Sequence, residues 1–230
     1  MVKKNHLEKE KIIEVAADLF GEKGYAATSI RDIAHGLNAS IATLYYYFKN
    51  KEDLLYTIIE TIGDDLLVAL NAAKDRSDDP MGKLRNMLSC HIKLTDKKKN
   101  RVKVYVEEQH NLSEKFRGII YNQHRKIYDI YVEQLRALQR LGIISTEPIS
   151  VPAFAMFGMI NWCYRWYRQD GGLSVEDLAQ RLIELFFHGI LKPTEPCSSD
   201  KMGKGKSFYN DCQEYQTERG PSGTLQGPRR

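Results

Sequence analysis

No stretch of this chain approaches the roughly 20 apolar residues that crossing a bilayer requires, and the lysine-rich N-terminus lacks the apolar core of a secretion signal. These absences predict a protein of the cytoplasm with no membrane role. Cysteine is sparse as well. Cys90, Cys163, Cys197 and Cys212 stand far apart, with no Cys-x-x-Cys pair and no clustered histidines, so zinc is not expected and the thiols are read as reduced. There is no Gly-rich phosphate loop, no Gly-x-Ser-x-Gly elbow and no metal-ligand spacing, and His6, His35, His91, His110, His124 and His188 have no evident nucleophile partner. We therefore expect no catalytic residue, no metal and no cofactor. Strong charge bias is missing too: the formal net charge is +4, and residues 1–60 carry eight basic side chains against nine acidic ones. Bulk charge does not point to nucleic acid, so any DNA contact must rest on the placement of a few cations.

What the chain does have is a strong helical pattern. Its 230 residues, 42% hydrophobic and 28% charged, suffice for one or two domains with a sizeable core. The most informative run lies between Gly24 and Asp53. Ser29 followed by Asp32 has the capping-box pattern, and Ile30, Ile33, Ala34 and Leu37 repeat at helical spacing, which predicts a helix that Gly36 ends. Asn38 tolerates the left-handed backbone that a sharp turn between helices needs. Ser40 then caps a second helix whose Leu44 and Phe48 face inward, leaving Ile41, Ala42, Thr43, Tyr45, Tyr46 and Tyr47 on the other faces. The pair predicts a helix-turn-helix over about residues 29–49, its second helix suited to the DNA major groove.

The run Thr43-Leu-Tyr-Tyr-Tyr-Phe48, followed by Lys49-Asn-Lys-Glu-Asp-Leu-Leu55, closely resembles the TetR family of one-component transcriptional regulators. The resemblance is tight over residues 7–67 and looser to about 192. Family members often carry Gly at the position of Asn38, and Lys and His at those of Ile41 and Tyr47; these departures bear on the operator sequence rather than on the fold. The resemblance implies an all-α protein: an N-terminal three-helix helix-turn-helix DNA-binding domain (1–50), a connecting helix (51–75) and a C-terminal helical effector-binding and dimerisation domain (76–192). The expected DNA-facing residues are Thr28, Ser29, Arg31, Ser40, Ile41, Ala42, Thr43, Tyr45, Tyr46, Lys49 and Lys51, with Lys3 and Lys4 adding charge from the arm. Tyr46 and Lys51 are assigned to phosphates; Ser40, Ala42, Thr43 and Tyr45 are assigned to base edges. The implied partners are double-stranded operator DNA, a second copy of the chain and a small-molecule effector. Two half-sites one helical turn apart, about 34 Å or a multiple of it, would lose register if a ligand pushed the connecting helix and rotated each DNA-binding lobe.

Helical spacing predicts a first helix over about 7–22, with Ile12, Val15, Ala16, Leu19 and Phe20 inward, and a long one from an Asn50 cap through Lys74. Beyond the break at Asp78-Asp79-Pro80, helices are expected at 81–94, 100–110, 113–140, 150–168 and 174–191, the last with a Ser174/Asp177 capping box. From Pro193 to Arg230 the composition turns to Pro, Gly, Ser, Lys and Arg without a helical stripe, and a disordered tail is expected.

The second specific stretch is Phe154 to Arg168 with the following Gly171-Gly-Leu-Ser174. Its apolar residues spread over several faces, which predicts a helix surrounded on most sides. In the TetR family the last two long helices form a four-helix bundle with a second subunit, which fits Leu178, Leu182, Leu185, Phe186 and Ile190. The run Asn161-Trp-Cys-Tyr-Arg-Trp-Tyr-Arg168 also resembles the family branch that senses acyl-CoA thioesters, the regulators of fatty-acid and sterol degradation. That resemblance implies an effector site of Tyr105, Tyr128, Phe154, Phe157, Asn161, Trp162, Arg165, Trp166 and Arg168, with Tyr121 and Tyr131 as further candidates. An acyl chain would lie among the rings and an arginine would engage phosphate; Lys97 to Lys103 could also receive it. Aromatic core packing with solvated arginines explains the same residues. Two other functions stay open: an efflux-pump repressor sensing aromatic or cationic compounds, and an acyl-chain carrier or peripheral membrane protein without a DNA role.

Overall fold

The computed structural model describes residues 2–144 and 148–188, with side chains from residue 9 onward. The side chains of Lys3, Lys4 and His6, together with Ile190 and the whole 193–230 segment, lie outside what is described. The described residues are all-α, in the order α1 (Val2–Lys23), α2 (Ile30–Gly36), α3 (Ile41–Tyr47), α4 (Lys51–Lys74), α5 (Pro80–Lys97), α6 (Lys99–Glu107), α7 (Glu114–Arg140), α8 (Ser150–Trp166) and α9 (Val175–His188). Single 3-10 turns at Gln109–Asn111 and Gln169–Gly171 separate α6 from α7 and α8 from α9.

Local chemistry sets the helix ends. The Ser29 hydroxyl accepts the Asp32 N–H and the Asp32 carboxylate accepts the Ser29 N–H at 2.7 Å, so both halves of the box at the start of α2 are closed. Asn38, at φ 50°, is the one non-glycine residue with a left-handed backbone among those described, and it turns the chain between α2 and α3. Ser40 caps α3 through the Thr43 N–H, Asn50 caps α4 through the Asp53 N–H, and Asp79 caps α5 with Pro80 at its first position. Helix α6 stops at Glu107, three residues short of the expected end, because the chain tightens into the Gln109–Asn111 turn. Helix α8 ends at Trp166, with Tyr167 extended.

The helices enclose two large apolar cores and a small third cluster of Ile62, Val102 and Tyr164, and α4 contributes to all three. Its first half (Leu54, Leu55, Ile58, Ile59) packs with α1, α2 and α3 and with Val104, Leu112 and Ile120. Its second half (Leu66, Leu70, Ala73) joins the core of α5, α7, α8 and α9. The buried face of α1 is wider than the expected stripe, taking in Ile13 and Ala17 while Val15 stays half-buried, because α1 contacts α2 on one side and α4 and α6 on the other. Helix α8 packs against α5, α6 and α7 and keeps one face open within the subunit, where Val151, Phe154, Trp162 and Trp166 form an exposed stripe. In α9, Leu178 is buried in the subunit's own core, Leu182 and Phe186 pack partly against it, and Leu185 stays 46% exposed.

Helices α4 and α7 approach closely at Gly63. A Cβ there would sit 1.9 Å from Gln123 Oε1, and the Gln123 amide nitrogen donates to the Glu60 carbonyl (2.9 Å) and to Asp64 (2.8 Å). Gly63→Ala must expel this buried amide, so a loss of about 1–3 kcal/mol in urea-denaturation stability is expected. Unchanged stability would show that the α4–α7 contact yields freely.

Candidate functional site

Helix α3 buries only Leu44 and the flanking Phe48, so its remaining faces meet solvent. Tyr45 and Tyr46 are 54% and 73% exposed, and Ser40, Ile41, Ala42, Lys49 and, on α2, Arg31 are exposed beside them. Thr43 is half-buried, its hydroxyl 2.9 Å from that of Ser40. Seven aromatic, aliphatic, hydroxyl and cationic side chains thus share one outward surface suited to a groove.

Three of the expected contacts are placed differently. Thr28 is buried (1% exposed), its hydroxyl donating to the carbonyls of Leu19 and Gly24, so its side chain braces the end of α1 and does not face DNA. The Ser29 hydroxyl and N–H are both committed to Asp32, whose carboxylate these bonds hold below its ordinary pKa range. Lys51 turns inward: its ammonium donates to the carbonyls of Tyr25 (2.5 Å) and Thr28 (2.7 Å) and lies 4.0 Å from the Tyr25 ring centroid. Burial lowers its pKa, against the pull of Glu108. An ammonium spent on two carbonyls and a ring fixes the turn before α2 rather than a phosphate.

A cavity of about 520 Å³ opens between α6, α7 and α8. Tyr105 and Val106 come from α6, Gln109 from the following turn, Tyr121, His124, Arg125, Ile127 and Tyr128 from α7, and Phe154, Phe157 and Asn161 from α8. The Tyr128 ring stands 5.5 Å from that of Phe154 and 6.5 Å from that of Phe157, and Tyr105 stands 5.0 Å from His124. Burial raises the pKa of the Tyr105 phenol and lowers that of His124, so the inner wall is uncharged near neutrality. No carboxylate lines the cavity among the described residues, and its one cation, Arg125, pairs with Asp129 at 3.1 Å.

Of the expected effector residues, Tyr105, Tyr128, Phe154, Phe157 and Asn161 meet in this cavity. Trp162, Arg165, Trp166 and Arg168 do not line it; they lie along the exposed face of α8 and just past its end. Arg165 binds Glu107 at 2.7 Å and stacks over Trp162, and Arg168 pairs with Asp170. Tyr131 is buried against His91, 3.1 Å away. The basic run is also engaged: Lys98 with Asp65, Lys99 with the Tyr167 carbonyl, Arg101 with Glu10, and Lys103 with the Gly21 carbonyl. Val106, Gln109, His124, Arg125 and Ile127 were not anticipated. Tyr121, His124, Arg125 and Tyr128 do follow the i, i+3, i+4, i+7 spacing of one helix face, a signal present in the sequence.

A helix-turn-helix with an exposed recognition helix, joined by a shared long helix to an all-helical domain with an apolar cavity, defines a DNA-binding transcriptional regulator. Residues 12–57 match the bacterial regulatory proteins of the tetR family, and residues 77–190 match the tetracyclin repressor-like C-terminal domain. The transcriptional repressor KstR2 of Mycobacterium tuberculosis is 24% identical over 183 residues, covering 79% of this chain and 92% of that protein. A TetR-family regulator from Bordetella parapertussis is 30% identical with a TM-score of 0.73, covering 79% of this chain and 95% of its own. AibR, solved in complex with isovaleryl coenzyme A and operator DNA, is 28% identical with a TM-score of 0.72, covering 78% of this chain and 98% of its own. The chain belongs to the TetR family of transcriptional regulators. No helix among the described residues is long and apolar enough to cross a membrane.

The two lysines beside α3 should behave differently. Lys49→Ala is expected to flatten the slope of log affinity against log salt by about one unit, as loss of one phosphate contact does. Lys51→Ala should leave that slope unchanged and lower the melting temperature instead. Fluorescence anisotropy across a salt series, with thermal melts of both variants, separates the two roles; a flattened slope for Lys51→Ala returns it to the phosphates.

Proposed function

We propose that the protein is a homodimeric repressor released from a palindromic operator by an acyl-CoA thioester, and that it controls lipid or related catabolic genes. The observation that carries this reading is the position of α6. Its C-terminal half walls the apolar cavity through Tyr105 and Val106, and its N-terminal half grips α1 through Arg101 to Glu10 (2.5 Å) and through Asn100 to Asp18 (2.7 Å). A ligand that displaces the cavity wall therefore pulls directly on the DNA-binding domain. Release by ten- to hundredfold asks for about 1.4–2.8 kcal/mol of coupling, within the ordinary range for linked sites.

Chemistry favours a thioester over the drug-type alternative. A cationic compound in this cavity would find rings but no carboxylate to neutralise it, whereas an acyl or ring-bearing group needs only apolar wall. The likeness to AibR, solved with isovaleryl coenzyme A, and to the repressor KstR2 supports the same class. The phosphates of such a ligand must lie outside the cavity, where Arg165 and Arg168 stand within two turns of Asn161 along the chain.

The exposed face of α9 at Leu185, with Val151 at the start of α8, is the surface proposed for the second subunit, which leaves the end of α8 at Trp162 and Arg165 open beside the cavity. Leu185→Glu should yield a monomer by sedimentation with its melting temperature within a few degrees of that of the wild-type subunit, and should lose palindromic DNA. Leu185 is a cleaner probe than Leu182 or Phe186, which also pack against the subunit core. A Leu185→Glu protein that sediments as a dimer moves the interface elsewhere.

The effector class is tested on an operator selected by this protein from random DNA. Acyl-CoA esters of increasing chain length, a ring-bearing ester, the free acids and CoA are titrated separately into the complex. Release by the thioesters alone is expected, with affinity rising by about 0.8 kcal/mol per buried methylene until the cavity is full. Release by free aromatic compounds with no response to any thioester would favour the efflux-type reading.

A further inference from the structure

Two adjacent carboxylates at the end of α6 face different partners. Glu107 Oε1 accepts hydrogen bonds from the Tyr164 hydroxyl (2.7 Å) and from Arg165 through Nη2 (2.7 Å) and Nε (3.2 Å), both on α8. Glu108 accepts the backbone N–H of Tyr25 (3.2 Å), the residue whose ring and carbonyl hold Lys51. One step along the chain thus joins α8 to the turn that precedes α2. Val106 and Gln109, which line the cavity, flank this pair, and Asn161 on the cavity wall lies one turn before Arg165.

Arg165 is held, but not tightly enclosed. Its side chain is 49% exposed and its guanidinium lies 4.6 Å from the Trp162 ring centroid. Both of its bonds to Glu107 end on a single carboxylate oxygen, so the two-point pairing that guanidinium groups make with phosphate is unused. Burial works to raise the pKa of Glu107, but the bonds from Arg165 and Tyr164 outweigh it and keep the carboxylate ionised near neutrality. A phosphate arriving beside Trp162 would meet an arginine whose present partner offers one oxygen.

We propose that Arg165 is an exchangeable latch: without ligand it holds Glu107, and a phosphate of the thioester seated in the cavity takes its guanidinium, freeing the end of α6 that grips Tyr25 through Glu108. The inference rests on the thioester reading of the cavity and deepens it. Glu107 becomes the residue that makes the response depend on phosphate, because the acyl group alone fills the cavity and leaves the latch closed. The latch also accounts for a half-exposed arginine held by a single carboxylate oxygen beside the cavity.

Octanoyl-CoA and octanoyl-pantetheine carry the same acyl group with and without the nucleotide phosphates. Each is titrated into the wild-type protein, with binding read by calorimetry, operator affinity by anisotropy and local change by intrinsic fluorescence; both tryptophans of the chain, Trp162 and Trp166, lie on α8 beside Arg165. Both esters should bind, and only the CoA ester should shift the emission and lower operator affinity by about tenfold or more. Without ligand, Glu107→Gln and Arg165→Met should each lower operator affinity about five- to tenfold, and the double variant should fall no further than either alone. Equal release by the pantetheine ester overturns the latch and leaves the thioester reading standing, as does Glu107→Gln with wild-type operator affinity, or a double variant whose losses add. No response to either ester overturns both. The comparison of the two esters needs no variant, so it stands whatever the substitutions do to folding.

Discussion

Arg101 is nearly fully buried, and the partners that keep its charge from being stranded are Glu10 and Glu14 of a different domain, at 2.5 Å and 3.6 Å. A buried cation deprived of its carboxylate costs several kcal/mol, so α6 and α1 are obliged to move together. Around this pair the basic stretch of α6 makes a row of further ties: Asn100 to Asp18, Lys103 to the Gly21 carbonyl, Lys98 to Asp65 of α4. What looks like a solvated run of lysines is a set of ties from α6 and its start to α1 and α4. The DNA-binding helices are therefore oriented from the cavity wall, not by the long helix α4 alone.

That arrangement changes where a ligand would act. A mechanism that works by pushing α4 has to transmit displacement through a helix packed into both cores, where close packing resists small shifts. Helix α6 is only nine residues long, is capped by no side chain at its start and ends in a 3-10 turn; Val102 and Val104 anchor it in apolar packing, and polar ties to α1 and α8 add to that hold. The cavity therefore sits beside an element held partly by polar ties, and polar ties between exposed groups exchange partners more readily than buried apolar contacts do.

Much of the fold was legible in the chain because its signals are local. The Ser29/Asp32 box, the Asn38 turn and the Ser40 and Asn50 caps each depend on atoms within four residues of one another, and all appear in the structure as read. The exposed face of α3 was legible for the same reason, since burying Leu44 and Phe48 leaves Tyr45 and Tyr46 no inward direction. The cavity was legible in part: aromatic residues at helical spacing on α7 and α8 can be seen, but which faces oppose each other cannot. Thr28 and Lys51 were read as outward because both border the helix-turn-helix. Their inward turn is imposed by the Leu19, Gly24 and Tyr25 carbonyls, which only the folded end of α1 brings near.

By itself, then, the sequence determined the helices, the sharp turn between α2 and α3, the exposed face of α3 and the family, because capping, left-handed turns and amphipathic stripes are short-range and their energies are set by neighbours in the chain. Only the tertiary structure decided which charges are spent inside the protein. Arg165 meets Glu107 across 58 positions and Tyr25 meets Glu108 across 83, and no local pattern distinguishes those side chains from solvated ones. Pairings of that kind follow from which helix faces come together. That choice is made by burying apolar area over the whole molecule, so these contacts became visible only once the helices were packed.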